Sequence, residues 1–213
     1  SSDLEHVQVE SRTTPYSERV AIQEERSLQE LDFLVSDKEA AMPGIQKVEA
    51  SSYRSTHLGA YYHPSAITPM GEKIELNDGS IWSTDPKHRY RALNWMTYDT
   101  IIVTTNKDLF SNYLFRLENI TTGQSVACNL SLGPIVNGYH THWIISFDPE
   151  HRQLCLEDGS VFVLSRLDDK IFKKWMVNDT VIIGINNRFC ACLNPNILIN
   201  VNMLNYSRCE CIN

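Results

Sequence analysis

Laid over residues 156–186 without a gap, residues 76–106 match at ten of thirty-one positions, where roughly two matches would arise by chance from ordinary composition. Leu76 falls on Leu156, Asp78-Gly79-Ser80 on Asp158-Gly159-Ser160, and Trp95-Met96 on Trp175-Met176. Asp99-Thr100 falls on Asp179-Thr180, Ile102 on Ile182 and Asn106 on Asn186, always at a separation of 80. A period of this kind marks a duplicated structural unit, since each copy has to bury its apolar residues in the same way.

The matched residues say what the unit is made of. Asp-Gly between alternating apolar runs is a strong hairpin signal, with glycine taking positive φ in a type I′ turn. Ile74 and Leu76 lead into the first turn and Ile81-Trp82 lead out; Leu154 and Leu156 lead into the second and Val161–Leu164 lead out. Each tryptophan then precedes a second turn and a β-branched run, Thr100–Val103 or Thr180–Ile183, as buried strands do. Tyr113–Leu117 and Phe189–Leu193 read as fourth strands, Ser125–Leu130 and Ile197–Met203 as fifth. The expected fold class is therefore mainly β: two tandem small five-stranded β-barrel-like modules, of Src-homology-3-like (SH3-like) or oligonucleotide-binding-like (OB-like) type. They occupy residues 72–136 and 137–213, with Gly133-Pro134 and Asn137-Gly138 as the hinge.

Residues 1–71 form an N-terminal tail, helix and linker on this reading. Val20, Leu28, Leu31 and Val35 recur near helical spacing, with Glu24, Glu25, Arg26 and Glu30 on the other face, which predicts one amphipathic helix over 16–36. Ser51 to Pro64 mixes small, polar and aromatic residues without a period and reads as linker. No run approaches the roughly eighteen apolar residues of a transmembrane span. With 26 acidic against 19 basic residues the net charge is -7, and no stripe of Lys and Arg gathers, which argues against nucleic acid as a partner.

Four groups of residues are candidates for chemistry. Trp95 and Trp175 offer aromatic faces that stack on ligands, although a tryptophan at one position of both copies, just before a buried strand, more often plugs a core. His140, His142 and His151 are the candidate metal ligands, zinc being the alternative to no cofactor at all: His140 and His142, two apart, share one face of a strand. Solvent-exposed histidines in the connection between modules are the competing reading, and His57, His63 and His88 fit no metal spacing. Cys190, Cys192, Cys209 and Cys211 form two C-x-C pairs, so neighbouring strands carrying them would pair twice as disulfides if the protein is exported; in a cytoplasmic protein they would be buried thiols. Asp78, Asp99, Asp158 and Asp179 all sit at expected turns, where aspartate bonds backbone amides, so catalytic acid and base duty is not needed to explain them. The sequons at Asn119, Asn129, Asn178 and Asn205 read as chance.

The frame L-x-DGS-x-W followed by W-x-x-x-D-x-I-x-I, as in Leu76–Trp82 with Trp95–Val103, resembles a module of uncharacterised exported proteins and lipoproteins of intracellular bacteria. The likeness covers residues 72–213 in two copies. It implies an exported, periplasmic or lipid-anchored protein and carries no agreed activity. In that pattern a glycine precedes the turn aspartate, whereas this chain has Tyr98 and Asn178; asparagine tolerates positive φ and tyrosine does so poorly, so the first turn is expected to differ from the second. Ser1-Ser2-Asp3 suits the residues that follow a lipidated cysteine, and equally a tag remnant.

Duplication without a catalytic signature leads to the expectation of a non-enzymatic, envelope-associated binding or scaffold protein whose partner is a protein, peptide or glycan, with a homo-oligomer as one form it takes. The alternative is a metal-assisted or cysteine-dependent hydrolase at the cleft between the modules.

Overall fold

The computed structural model describes residues 55, 57–108, 110–188 and 191–213; the helix expected over 16–36 and Cys190 lie outside them. The described chain is mainly β. Its strands are β1 (Tyr61–Tyr62), β2 (Pro64–Ile67), β3 (Lys73–Leu76), β4 (Ile81–Thr84), β5 (Ile101–Thr105), β6 (Phe115–Asn119) and β7 (Gln124–Leu132). There follow β8 (His142–Asp148), β9 (Gln153–Leu156), β10 (Val161–Leu164), β11 (Thr180–Ile185), β12 (Asn196–Asn200) and β13 (Asn205–Cys211). Among the described residues helix is limited to the one-turn α1 (Asp169–Phe172) and three short 3-10 turns, at Leu58–Ala60, Arg89–Ala92 and Arg166–Asp168. Among the described residues no helix is long and apolar enough to cross a membrane.

Strands β8 to β13 close on themselves in the order β11-β12-β13-β10-β9-β8-β11, every contact antiparallel. This six-stranded barrel has no free edge. The earlier strands run β5-β6-β7-β4-β3-β2, and β1, separated from β2 only by His63, pairs back onto β5.

Register repeats between the two halves strand by strand. Pro64 lies opposite Leu76 and Ile144 opposite Leu156; a bulge follows both, and then Ala66 meets Glu75 as Ser146 meets Cys155. Across the next pair Ile74 meets Trp82 as Leu154 meets Phe162. Beyond β5 and β11 the separation becomes 81: Asn119 opposite Ile101 matches Asn200 opposite Val181, and Cys128 opposite Phe115 matches Cys209 opposite Asn196.

That single-residue slip overturns two expectations. Residues 191–193 form a turn, not a fourth strand, and the run from Ile197 supplies the fourth strand, β12, so the fifth is β13. Each half also begins with strand not foreseen: the short β1 and β2 lie in the stretch read as linker, and β8 lies in the second module ahead of its expected first hairpin.

Both Asp-Gly turns have one geometry. The Gly79 and Gly159 amides donate to Leu76 and Leu156 carbonyls, and the Leu76 and Leu156 amides donate to Ser80 and Ser160 carbonyls, all at 2.8–3.0 Å. Only the glycines take positive φ, 82° and 85°. This is a three-residue loop with a glycine bulge, not the type I′ turn, which needs positive φ at both central residues. At the second pair of turns Asn178 has φ 71° whereas Tyr98 stays out of the positive region, as the side chains require. In both, the aspartate Oδ2 accepts from the amide three residues back, Met96 or Met176, and from the Asn119 or Asn200 side chain, at 2.8–2.9 Å.

Strands β5 and β11 join the halves. Ile101 and Val103 point into one core cluster while Ile102 points into the other; Ile182 enters the first cluster while Val181, Ile183 and Ile185 line the second. Burial on both faces is why Ile101–Val103 and Val181–Ile183 are β-branched throughout without alternating polar residues. One flank of β11 is covered piecewise: β8 pairs at Thr180 and Val181, and β5 runs parallel to it at Ile185. Between them the Tyr62 hydroxyl donates to the Ile183 carbonyl at 2.9 Å and accepts the Ile183 amide at 3.1 Å. A side chain thus supplies the two bonds of a missing ladder position.

Candidate functional site

The equivalent turns diverge at the residue before the aspartate. In the first half Asn77 Oδ1 accepts the His63 amide at 3.0 Å; in the second, Glu157 Oε2 accepts the Trp143 amide at 2.9 Å. The backbone frame is shared, since the Asn77 and Glu157 amides return bonds to the His63 and Trp143 carbonyls. Glutamate, however, has a second oxygen. Glu157 Oε1 accepts from His142 Nδ1 at 2.8 Å, and Asp158 Oδ2 lies 3.7 Å from the same nitrogen. Asp158 Oδ1 is held by the Ser160 amide at 2.9 Å, so each carboxylate is fixed through one oxygen and presents the other. Among the described residues His142, Glu157 and Asp158 are the group whose donor atoms converge within metal-binding reach, all within 4.8 Å of one another.

A segment from the first half lies over this cluster. The His57 ring stands edge-on to His142 with centroids 5.6 Å apart, and its Nε2 is 3.1 Å from Asp158 Oδ2. The Gly59 amide donates to His57 Nδ1 at 3.0 Å, so that nitrogen carries the lone pair and Nε2–H donates to Asp158. A side chain at 59 would put its Cβ within 3.0 Å of both histidine rings, against His142 Nε2 above all, so glycine is required by this close approach.

Burial lowers the His57 pKa against the pull of Asp158. For Asp158 burial acts upward, but Ser160 and the two imidazoles outweigh it and the carboxyl lies below its ordinary value. The Asp78 carboxyl is fully enclosed, and burial pushes it up to about 6 against its Ser80 hydrogen bonds and the field of His142. The side chains of His142, Glu157 and Asp158 retain 13%, 19% and 34% exposure, so solvent reaches the cluster from one side.

The other sequence candidates fall elsewhere. Trp95 and Trp175 are core residues, 5% and 3% exposed, with their indole N–H groups donating to Gln124 and Asn205; neither offers a face for stacking. His142 joins the cluster without the two histidines grouped with it: His151 pairs with Asp148 at the exposed β8–β9 turn, and His140 stacks edge-on against Tyr139. Cys192, Cys209 and Cys211 are free thiols, as are Cys128 and Cys155. The double cross-strand pairing fails because β13 lies beside β12 and β10: Cys209 faces Asn196 and Leu164, Cys211 faces Phe162, and Cys192 is in the turn before β12. Burial raises the Cys128 and Cys209 thiol pKa values far above the ordinary range.

Sequence reasoning set His57 aside for want of metal spacing, gave Asp158 a turn role alone, and passed over Glu157. The signal it held was the contrast of Asn77 with Glu157 beside the repeated Asp-Gly-Ser; the pairing of Tyr62 with His142 emerges only from the strand register. The fold and site define a mainly β protein containing a closed six-stranded barrel with a half-buried histidine–carboxylate cluster at one of its turns. Comparison with family models, with curated proteins and with solved structures finds no match.

Proposed function

We propose that this chain is a non-enzymatic binding or scaffold protein of the cell envelope, built from two tandem copies of one six-stranded unit and recognising a protein or peptide partner. The repeated register supports the duplication, with β1 and β2 serving the first unit as the single strand β8 serves the second. The observation that carries the binding role is the end of the molecule where β5 and β11 leave side by side. Because these strands run parallel at Thr104 and Ile185, the loops that follow start from the same end. Their bases are locked together: Arg188 donates to Thr105 Oγ1 at 2.9 Å and to the Asn106 carbonyl at 2.7 Å, and the Asn187 side chain bonds Thr105 at 2.9 and 3.1 Å. From these bases the loops expose Phe110, 99% accessible, together with Leu114 and Leu193. Large apolar side chains presented on anchored loops suit an apolar anchor point for a partner chain. The resemblance to exported bacterial modules supports the envelope location.

The test compares the parent with a Phe110→Ser, Leu193→Ser variant as bait in envelope extract, followed by titration of the purified captured protein. Saturable binding to the parent that weakens at least tenfold in the variant is expected. Equal binding by both, or turnover of a generic ester or peptide substrate by the parent that matches no binding partner, would overturn the proposal.

A further inference from the structure

We propose that His142 Nδ1, Glu157 Oε1 and Asp158 Oδ2 form a site for one divalent transition-metal ion of the zinc class. Two donors bonded at 2.0–2.1 Å to a tetrahedral ion lie about 3.3 Å apart. The separations here, 2.8 Å from His142 Nδ1 to Glu157 and 3.7 Å to Asp158, bracket that value. An ion at the centre would take over bonds that the histidine proton now makes, with the ring proton shifting to Nε2.

The surroundings meet what a metal site demands of them. Both carboxylates are oriented by backbone amides through their remote oxygens, from Trp143 and Ser160, which leaves one oxygen each for monodentate ligation. His57 is set aside as a ligand because freeing its Nε2 would move the proton to Nδ1, which already accepts the Gly59 amide; it holds Asp158 through Nε2 instead. Buried Asp78 adds negative potential felt at His142. One imidazole with two carboxylates favours a borderline ion over calcium, which takes oxygen ligands alone. Three protein donors and partial exposure leave room for water as the fourth ligand.

The comparison within the chain is independent of these distances. In the first unit the same frame carries Tyr62 and Asn77 where the second carries His142 and Glu157, and Tyr62 is occupied with Ile183. The turn aspartate is common to both copies, as Asp78 and Asp158, whereas the imidazole and the second carboxylate stand in the second copy alone, where Asn77 shows that an amide side chain suffices to hold the turn. Among the described residues the imidazole nitrogens of His57 and His142 contact carboxylates and a backbone amide rather than a serine, threonine or cysteine side chain, and the site is read as binding or structural, independent of the partner surface proposed above.

Zinc chloride is titrated into the full chain after dialysis against chelator, with heat and histidine 15N resonances recorded. The expected result is one saturable equivalent, a shift centred on His142 Nδ1, and at least tenfold weaker binding by Glu157→Gln and by Asp158→Asn, both of which can keep the amide contacts. A His140→Ala, His151→Ala variant is expected to bind as the parent does. Absence of a saturable equivalent, binding of calcium as tight as zinc, unchanged affinity in Glu157→Gln, or loss of binding in the His140/His151 variant would each overturn the assignment.

Discussion

Replacing Tyr62 by phenylalanine tests how the segment of β1 is tied to β11. The substitution removes one oxygen and no packing volume, yet that oxygen serves both the Ile183 amide and the Ile183 carbonyl in a fully buried position. Its loss leaves a backbone donor and acceptor without partners, and a buried unpaired group costs about 1–3 kcal/mol. Carbonyls tolerate under-satisfaction better than amides, so the expected destabilisation is about 2–4 kcal/mol. With a urea m-value of about 2 kcal/mol/M, the unfolding midpoint falls by about 1–2 M. Tyr61→Phe is the control. That hydroxyl donates only to the Ser55 carbonyl, in a half-buried position, and its removal should cost under about 1 kcal/mol. Midpoints for Tyr62→Phe and Tyr61→Phe that agree within error would refute the claim that a side chain completes the β11 ladder.

Leu204 has φ 50° at the position where the first unit has Gly123, φ 74°; Leu204→Gly relieves left-handed strain and should raise stability by up to about 1 kcal/mol, measured by urea denaturation. The raised Asp78 pKa means that the folded state holds this proton more tightly than the unfolded chain. Its contribution is therefore favourable below pH 3.8 and lost as pH rises to about 6, amounting to roughly 3 kcal/mol. Asp78→Asn should match the parent near pH 4 and exceed it at pH 7, whereas an equal deficit at both pH values would contradict the assignment. The lowered His57 pKa acts oppositely, removing stability as pH falls below 6.5, so the difference between parent and variant isolates Asp78. Under native conditions exposed Cys192 should react with a thiol reagent within the mixing experiment while Cys128 and Cys209 wait for unfolding, as mass spectrometry of labelled peptides would show.

What the sequence revealed was local. The Asp78 and Asp158 turns, the hairpins they close and the β-branched runs of β5 and β11 are written in adjacent residues, and all fold as read apart from the turn type. The opening strands were illegible because Pro64 and the interruption at His63 break the alternation of β1 and β2, and because β8 begins among histidines that read as part of the connection between the modules. The shift of β12 was hidden because the frame slips by one residue in the loop after Asn186, where no apolar period marks register. The site was the least legible part, since His57 and Asp158 are brought together across the whole first unit. Glu157 looks like any turn residue until the amide it bonds is known.

Native-state hydrogen exchange reads out whether the two core clusters are interlocked through β5, β11 and β12. If Ile102 must be buried in the second core cluster and Ile182, Ile197 and Ile199 in the first, neither cluster can open while the other stays closed. The slowest amides of β5, β6, β11 and β12 should then share one opening free energy, equal to that of global unfolding. Two sets of slow amides with separate free energies, divided between residues before and after Gly133, would contradict it.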